Sequence, residues 1–313
     1  MKYIKQIIIY LLLPIMLFSL SACSNISKDP IKGKFVFTSS RTGNSIDVYV
    51  SKNKKVLLIA KKAYSPKWSP DGKVVACAVE GRFNEIGKDG ILIIDQNGKV
   101  KDFFETERTP VKVDWDPTGE KIYYTQPKKD KKIYDEGIFV LDLAKREHKK
   151  IYGLDTESKI TGISISSIGD KILFHKSDPG IEIYLVDLKN NETKYLSRGV
   201  NPAWFPDGKH IAFTTNIDEN GNQINDAYGN IYKMNVETGE REAVRVVKYL
   251  MTLGLKVSKD GKYFYYTVQG DGAGQRIVVS PIDNEKVEIP VTTPIMTSSG
   301  LSQDHDPDWY QGE

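Results

Sequence analysis

The chain has 313 residues, of which 44 are basic and 41 acidic, so its formal net charge is +3. Without a marked basic run, this balance argues against a nucleic-acid partner. Aromatic residues make up 10% of the chain, with 17 Tyr, a composition typical of a globular β-rich protein.

The first 22 residues have the pattern of a targeting segment. Lys2 and Lys5 give a positive start, and the run from Ile7 to Leu20 is nearly all apolar but is interrupted by Pro14. Such a run is too short to span a membrane comfortably. It leads into Leu20-Ser21-Ala22-Cys23, which resembles the lipobox of bacterial lipoproteins.

The resemblance to a lipobox implies cleavage before Cys23, a diacylglyceryl group on its sulfur and usually acylation, as by palmitate, of the new amino group. We therefore predict a signal peptide over residues 1–22 and a lipidated tether over 23–32. More than one acyl chain anchors a protein durably to a membrane. The alternatives are an uncleaved anchor helix or an ordinary secretory signal. The Ile-, Lys-, Asn- and Tyr-rich composition favours the outer leaflet of a Gram-positive cell membrane over a periplasm.

The second cysteine, Cys77, lies in the apolar run Val74–Ala78. We predict that it packs there as a small hydrophobic side chain. With Cys23 modified, no structural disulfide is expected.

From residue 33 onward the chain predicts strands and turns almost to its end. Short runs of β-branched and aromatic residues are bounded by Gly, Asn, Ser and Lys. The nearest approach to a helix, Thr238–Lys248, has a Val-rich end that indicates a strand. The predicted strands fall into six groups: Phe35–Thr38, Ile46–Val50, Val56–Ile59; Ser65–Trp68, Val74–Val79, Ile91–Asp95, Phe103-Phe104; Val111–Trp115, Ile122–Thr125, Gly137–Asp142, His148–Tyr152; Ile160–Ile165, Ile172–His175, Ile181–Asp187, Thr193–Leu196; Val200–Trp204, Ile211–Thr214, Asn230–Val236, Glu242–Val247; Leu253–Val257, Tyr263–Val268, Arg276–Ser280, Val287–Val291.

An aromatic residue followed by a Pro-Asp-Gly turn and a strand recurs along the chain. Trp68-Ser69-Pro70-Asp71-Gly72 and Trp204-Phe205-Pro206-Asp207-Gly208 are close copies, and Trp115-Asp116-Pro117-Thr118-Gly119 differs by one residue. All 4 Trp of the chain fall in this slot. A period of roughly 40–50 residues indicates stacked units that cannot bury their faces alone. Weaker or truncated copies contain Gly169, Asp260-Gly261 and Asp306–Trp309.

Four strands per unit and six units predict an all-β fold, a six-bladed β-propeller of four-stranded blades over residues 33–313. The first unit lacks an inner strand, whereas the copy at Asp306–Trp309 has no strand after it. We therefore predict that the C-terminal strand pairs into the first blade and closes the ring, which removes two sheet edges. The propeller is expected to be monomeric.

The repeat residues are predicted to be structural. The aromatic side chain fills the space between blades, while Pro, Asp and Gly form the turn. The alternative for each Trp is stacking on a ligand. The residues assigned this structural role are Trp68, Asp71, Gly72, Trp115, Gly119, Gly169, Trp204, Asp207, Gly208, Asp260, Gly261 and Trp309.

The Trp-x-Pro-Asp-Gly-Lys-x-Ile-Ala unit resembles the repeat of TolB-type propellers, which also occurs in the propeller domains of prolyl oligopeptidase-like peptidases. This resemblance covers roughly residues 33–310. It implies a six-bladed propeller, exported in bacteria, that mainly binds other proteins. TolB itself has a separate amino-terminal α/β domain and docks to a peptidoglycan-associated lipoprotein, whereas this chain has a predicted lipid anchor in that domain's place. Because the chain has no Gly-x-Ser-x-Gly elbow, peptidase chemistry is not expected.

Binding residues are predicted at the mouth of the central channel, where the inner strands of a propeller begin. Positions three or four residues before the motif aromatic fall there. The resulting ring mixes polar and apolar residues, so a mouth that binds a peptide or a sugar competes with a solvent-filled lining. The nominated residues are Tyr64, Lys112, Asn201, His305 and Asp306.

No catalytic residue, cofactor or metal site is assigned. Asp218–Asp226 carries oxygen ligands at alternate positions, as calcium loops do, but position 229 is Gly, where a calcium loop has a bidentate Glu. A polar hairpin is therefore the preferred interpretation. Gly270–Gly274 lacks the Lys-Ser/Thr pair and helix of a phosphate loop. The four His, at 148, 175, 210 and 305, have no metal-type spacing.

The sequence thus predicts a lipid-anchored binding module whose partner is an envelope protein or peptide. The alternative is a carbohydrate-active propeller, such as a polysaccharide lyase, or a glycan-binding protein. An enzyme of that class needs convergent basic, His or Tyr groups and usually a metal. Only Lys112, His305 and Tyr64 are available for this chemistry. A third possibility is a structural envelope protein without a soluble ligand.

Overall fold

The structure is a computed structural model that describes residues 31–43, 45–53, 55–82, 86–127, 135–153, 158–177, 181–218, 220, 222, 230–245, 251–269, 274–284 and 286–312. Residues 33–313 form one compact unit. The predicted signal peptide, Cys23 and all but the last two residues of the tether lie outside the described residues. Across the described ranges, no helix has the length and apolar character needed to cross a membrane.

Short strands joined by tight turns make up this unit, as the β-branched and aromatic runs predict. Their bounds are β1 Lys34–Ser39, β2 Asp47–Lys52, β3 Lys55–Ala60, β4 Ala63–Trp68, β5 Val74–Val79, β6 Gly90–Asp95, β7 Val100–Glu105, β8 Val113–Trp115, β9 Lys121–Pro127, β10 Asp135–Asp142, β11 Glu147–Gly153, β12 Lys159–Ile165, β13 Lys171–Ser177, β14 Glu182–Asp187, β15 Thr193–Arg198, β16 Val200–Trp204, β17 His210–Thr215, β18 Asn230–Asn235, β19 Arg241–Arg245, β20 Met251–Val257, β21 Tyr263–Gln269, β22 Gln275–Pro281, β23 Ile289–Pro290, β24 Met296–Thr297, β25 Gly300–Leu301 and β26 Asp304–Tyr310.

The strands form six four-stranded antiparallel sheets, which confirms the predicted six-bladed β-propeller. Blade 1 has the order β26-β1-β2-β3, and blades 2 to 6 take β4–β7, β8–β11, β12–β15, β16–β19 and β20–β23 in turn. The first strand of blades 2 to 6 is the inner one, as β26 is in blade 1. The outer strand of blade 6 is only Ile289–Pro290, because Pro290 cannot donate to a ladder. The hairpin β24–β25 was not predicted.

The C-terminal strand closes the ring as predicted. β26 pairs antiparallel with β1, Lys34 opposite Tyr310 and Phe35 opposite Trp309. A buried carboxylate reinforces this closure: Asp304 is 0% exposed and forms an ion pair with Arg41. The hydroxyl of Ser39 donates to the same carboxylate at 2.5 Å. Residues from the two ends of the propeller are thus joined by backbone and side-chain bonds.

The four Trp of the repeat lie between adjacent blades, each with 5–8% of its surface exposed. The indole Nε1–H of Trp115 donates to the Lys67 carbonyl at 3.1 Å, and that of Trp204 donates to the Ser164 carbonyl at 3.1 Å. Both carbonyls belong to the preceding blade. The Nε1 of Trp68 has no hydrogen-bond partner among the residues that the structure describes. The aromatic residue therefore fills the gap between blades, and Trp115 and Trp204 also hydrogen-bond across it.

The motif turn is organised by its Asp and its Gly. The Asp71 carboxylate accepts from the Ser69 hydroxyl at 2.7 Å and from the Lys73 amide at 3.1 Å. Hydrogen bonding by Ser69, followed by the Lys73 amide, lowers the pKa of Asp71 to about 2. Gly72 has φ +67, and a Cβ there would lie 2.3 Å from the Tyr310 ring. Gly is therefore required at this position both for conformation and for space.

Candidate functional site: the central channel

The central channel is lined by the inner strands β4, β8, β12, β16, β20 and β26. We call the side where these strands begin the mouth face and the side where they end, at the motif turns, the turn face. One cavity opens toward each face. Lys67 and Lys256 line both cavities, so these two residues lie at the level where the two meet.

A bulge recurs in the inner strands three residues before the motif aromatic. The strand register shifts between Tyr64 and Lys67 in β4 and between Val200 and Ala203 in β16. The residues at this position include Ser65, Asn201 and Asp306, with φ of 52, 55 and 49. Each is followed by Pro: Pro66, Pro202 and Pro307. A bulge leaves one residue out of the ladder, so the missing proline N–H costs nothing there.

The bulge positions line a narrow cavity of about 50 Å³ below the mouth face, the mouth cavity. Lys112 Nζ lies 3.2 Å from Asp306 Oδ1 across it. Burial alone raises the pKa of Asp306, but the Lys112 charge and the neighbouring His305 outweigh that effect and hold this pKa well below its usual range. The residues lining the mouth cavity are Ser65, Pro66, Lys67, Lys112, Val113, Thr161, Gly162, Ile163, Asn201, Pro202, Gly254, Leu255, Lys256, Asp306 and Pro307.

Three of the five predicted mouth residues, Lys112, Asn201 and Asp306, thus come together. His305 does not line the cavity, and its Nδ1 lies 3.4 Å from Asp306 Oδ2. Tyr64 does not line this cavity; its hydroxyl donates to the Pro110 carbonyl at 2.9 Å, and the residue lines a separate pocket with Arg82 and Arg108. Tyr64 stands four residues before the aromatic, next to the bulge. The bulge places the residue three before the aromatic in the channel lining.

A second ring of channel residues was missed by sequence reasoning. It consists of the one residue immediately before each of the six motif aromatics. Two of these six residues have small side chains. Four of its members alternate in charge around the ring, in the order Lys256, Asp308, Lys67 and Asp114. The strand periodicity could have revealed the ring, since positions one and three before the aromatic share a side of the strand. The full ring is Asp308, Lys67, Asp114, Ser164, Ala203 and Lys256.

The two aspartates of this ring connect neighbouring blades. Asp308 Oδ2 accepts from the Trp68 amide at 2.8 Å, and Asp114 Oδ2 accepts from the Ile165 amide at 3.1 Å. An innermost strand has no neighbouring strand on its channel side, so its outward N–H groups need other acceptors. The carboxylates supply them. Lys67 Nζ also lies 3.6 Å from Asp308 Oδ1, which completes an ion pair.

The two lysines of the ring line the same cavity floor. Within the described part of the chain, Lys67 forms an ion pair with Asp308 whereas Lys256 forms none. Burial, followed by the Lys67 charge, lowers the pKa of Lys256 to about 7, although Asp114 and Asp308 act in the opposite direction. Burial likewise raises the pKa of Asp114. Lys256 is therefore a cavity-lining amine that has no ion-pair partner among the described residues and is close enough to Lys67 to be affected by its charge.

The cavity toward the turn face, the turn-face cavity, has a volume of about 340 Å³. Lys67, Lys256, Asp114 and Asp308 form its floor. Its walls are largely aromatic and prolyl: Pro70, Pro117, Trp204, Phe205, Pro206, Tyr265, Trp309 and Tyr310. The volume falls in the range of small-molecule sites, roughly 300–1,000 Å³. Apolar walls above a charged floor suit a ligand with an apolar body and a charged end.

No group of three or more His, Cys, Asp or Glu within the described ranges is placed to hold a metal ion. In the suspected calcium loop, Asp218 accepts from the Asn220 amide at 2.9 Å and the Asn222 amide at 2.8 Å. All of that loop's other residues, and residues 270–273 of the Gly-rich segment, lie outside the described residues. His175 is buried, with 4% of its surface exposed, and its ring packs against Gly162. Burial lowers its pKa to about 3.

No family model matches the sequence, and no curated protein does so either. Solved structures do match. TolB from Acinetobacter baumannii has a TM-score of 0.64 and 17% identity, over 88% of this chain and 66% of that one. A putative TolB from Agrobacterium tumefaciens has a TM-score of 0.61 and 13% identity, over 90% of this chain and 99% of that one. The fold is that of a TolB-like propeller.

Other propellers match with comparable scores. A chain of a nidogen/laminin complex has a TM-score of 0.60 and 12% identity, over 86% of this chain and 96% of that one. An oligogalacturonate lyase in complex with manganese has a TM-score of 0.53 and 15% identity, over 85% of this chain and 76% of that one. At such low identity these likenesses concern the fold alone. The chain spans 66% of the length of the Acinetobacter TolB.

Proposed function

We propose that this protein is a non-enzymatic binding module of the cell envelope, held by a lipid on Cys23 at the extracytoplasmic face of the membrane. Its partner is a protein or peptide that docks on the mouth face. The proposal for the anchor rests on the lipobox-like sequence. The proposal for a binding role rests on the TolB-like fold and on the arrangement of the mouth face.

The observation that carries this proposal is that the connections between strands are longer on the mouth face than on the turn face. On the turn face, inner hairpins are closed by short turns such as residues 69–73 and 205–209. Strand ends at the mouth face are joined by longer segments, among them 80–89, 128–134 and 216–229. A rigid scaffold with long connections on one side is the usual arrangement of a binding surface.

The hairpin β24–β25 adds an apolar feature to the mouth face. Met296 is 75% exposed and Ile295 is 44% exposed. The hairpin is held in place rather than projecting freely, because the Ser299 hydroxyl donates to the Gly43 carbonyl at 2.9 Å. Large exposed apolar side chains on a fixed hairpin are suited to contact with a protein surface.

The carbohydrate-active alternative receives less support from the geometry. Two of its nominees, Lys112 and His305, both contact the Asp306 carboxylate, so their basic groups are engaged with one acid. The third, Tyr64, lines neither channel cavity, and its hydroxyl donates to the Pro110 carbonyl. The likeness to an oligogalacturonate lyase is one of fold, at 15% identity. We therefore rank protein binding first and include a glycan outcome in the test.

The test is photo-crosslinking on intact cells from one position on each face. A photoreactive amino acid replaces Met296 on the mouth face or Ile168 on the turn face, where Ile168 is 70% exposed. We expect a specific protein adduct from position 296 and none from 168. Adducts only from 168 would contradict the choice of face. Recovery of a glycan that the protein turns over, without any protein adduct, would reverse the ranking.

A further inference from the structure

We propose that the floor of the turn-face cavity binds the carboxylate of a ligand between the amines of Lys67 and Lys256. The ligand is a monocarboxylate with an apolar body, either a free acid or the C-terminal residue of a peptide chain. This site goes beyond the proposed function, because it opens on the opposite face from the proposed protein-docking surface. Its test is therefore independent of the crosslinking result.

The first argument is that one of the two amines at the cavity floor lacks a countercharge in contact. A charge removed from water is costly unless it is paired and hydrogen-bonded. Lys67 has an ion-pair partner in Asp308 at 3.6 Å. Lys256 lines the same cavity floor but forms no ion pair within the described part of the chain. A carboxylate placed between the two amines would supply the missing partner of Lys256.

The second argument is that the aspartates of the ring have a structural task that the lysines lack. Asp308 and Asp114 hold the amides of Trp68 and Ile165 in neighbouring blades. Lys256 donates to no backbone carbonyl in the described residues. If the ring served packing alone, an apolar residue of similar length at position 256 would do so without a desolvation cost.

The third argument is the shape of the cavity above the lysines. The ring positions of blades 4 and 5 are Ser164 and Ala203, whose side chains are small and uncharged. They leave space beside Lys256 on the side away from Asp308. The walls above include Trp204, Phe205 and Trp309. A carboxylate can thus reach Lys256 without passing an aspartate, while the apolar remainder of the ligand contacts the aromatic wall.

Binding at this site should consume a proton above neutral pH. The groups that act on Lys256 are Lys67, Asp114 and Asp308, and Tyr265 also lines the cavity. On the mouth side, the titratable groups that face this pair are Asp306, which acts on Lys67, and His175, which Lys112 and Lys256 both affect. An anion beside Lys256 raises the pKa of its amine from about 7. Affinity should therefore fall as the pH rises above 7, by up to about tenfold per unit.

The experiment is isothermal titration of the detergent-solubilised full-length protein with 3-phenylpropionate and with its neutral amide. We expect the acid to bind at least tenfold more tightly at pH 7 and to take up on the order of one proton at pH 8. Ala-Ala-Ala-Phe with a free or an amidated C-terminus forms the second arm. Binding of the free peptide identifies a chain end as the ligand, and its failure beside a binding acid identifies a small molecule.

The matched variants are Lys256→Met and Lys262→Met. Lys262 is an exposed lysine of the same blade, outside both cavities. Lys256→Met should abolish the preference for acid over amide, and Lys262→Met should retain it. The proposal would be overturned if the wild type bound acid and amide with equal affinity, or if neither 3-phenylpropionate nor the peptide with a free C-terminus bound saturably. Neither result depends on whether a variant folds. Retention of the preference by a folded Lys256→Met variant would also overturn it.

Discussion

The interblade hydrogen bond of Trp204 offers a direct test of how the repeat stabilises the ring. Trp204 is 8% exposed and donates its indole N–H to the Ser164 carbonyl at 3.1 Å. Trp68 occupies the corresponding slot and is 5% exposed, but its Nε1 has no acceptor within the described ranges. The substitutions Trp204→Phe and Trp68→Phe therefore remove the same atoms and differ in the loss of one hydrogen bond.

The expected magnitudes follow from these contacts. Both variants lose part of a buried ring, which costs about 1 kcal/mol for the area removed. Trp204→Phe also leaves a buried carbonyl without its donor, a loss of about 1–3 kcal/mol. At the Trp68 site the Lys34 amine lies 4.3 Å from the ring centroid, in a cation–π contact. A Phe ring can make the same kind of contact, so Trp68→Phe retains it. Complete removal in Trp204→Ala should cost about 3–5 kcal/mol.

The assay is equilibrium urea unfolding followed by tryptophan fluorescence. All 4 Trp lie in the interblade slot, so their emission reports on the inner strands directly. With equal m-values, the difference between midpoints gives the difference in unfolding free energy. Trp204→Phe should be less stable than Trp68→Phe by at least about 1 kcal/mol. If the two variants were equal within about 0.3 kcal/mol, the interblade bond would contribute nothing and the argument would fail.

Three further predictions concern the channel, the closure and the anchor. Lys256→Met should raise the melting temperature most below pH 7 and less toward pH 10. Burial lowers the pKa of the Lys256 amine to about 7, and the cost of burying this amine declines as the lysine of the unfolded chain also deprotonates. A pH-independent gain, or the same gain in Lys262→Met, would contradict this. Asp304→Asn should cost about 3–5 kcal/mol in thermal unfolding, because Arg41, whose side chain is only 10% exposed, loses its ion-pair partner. Adding Arg41→Met should recover part of the loss. Cys23→Ser should move the protein from the membrane to the soluble fraction, and continued acyl labelling of that variant would refute lipidation.

The channel residues could be predicted from the sequence only in part. Lys112, Asn201 and Asp306 could be placed at the mouth by counting back from the motif aromatic. Tyr64 was included because the count allowed either of two adjacent positions. Only the bulge, with its positive φ at Ser65 and at its equivalents, decides which position faces the channel. A bulge depends on pairing with the next strand, which the sequence of one strand does not contain.

The sequence by itself determined the architecture: six repeated units, their strands, and closure by the segment that ends at Trp309. These follow from local patterns, since alternation, turn residues and repeat spacing act over a few residues or recur at a fixed period. Only the tertiary structure decided the character of the channel. Lys67, Asp114, Lys256 and Asp308 are far apart along the chain and become one alternating ring when the blades close. Their burial and mutual charges set the pKa of Lys256, and those are properties of the assembled ring rather than of any single repeat.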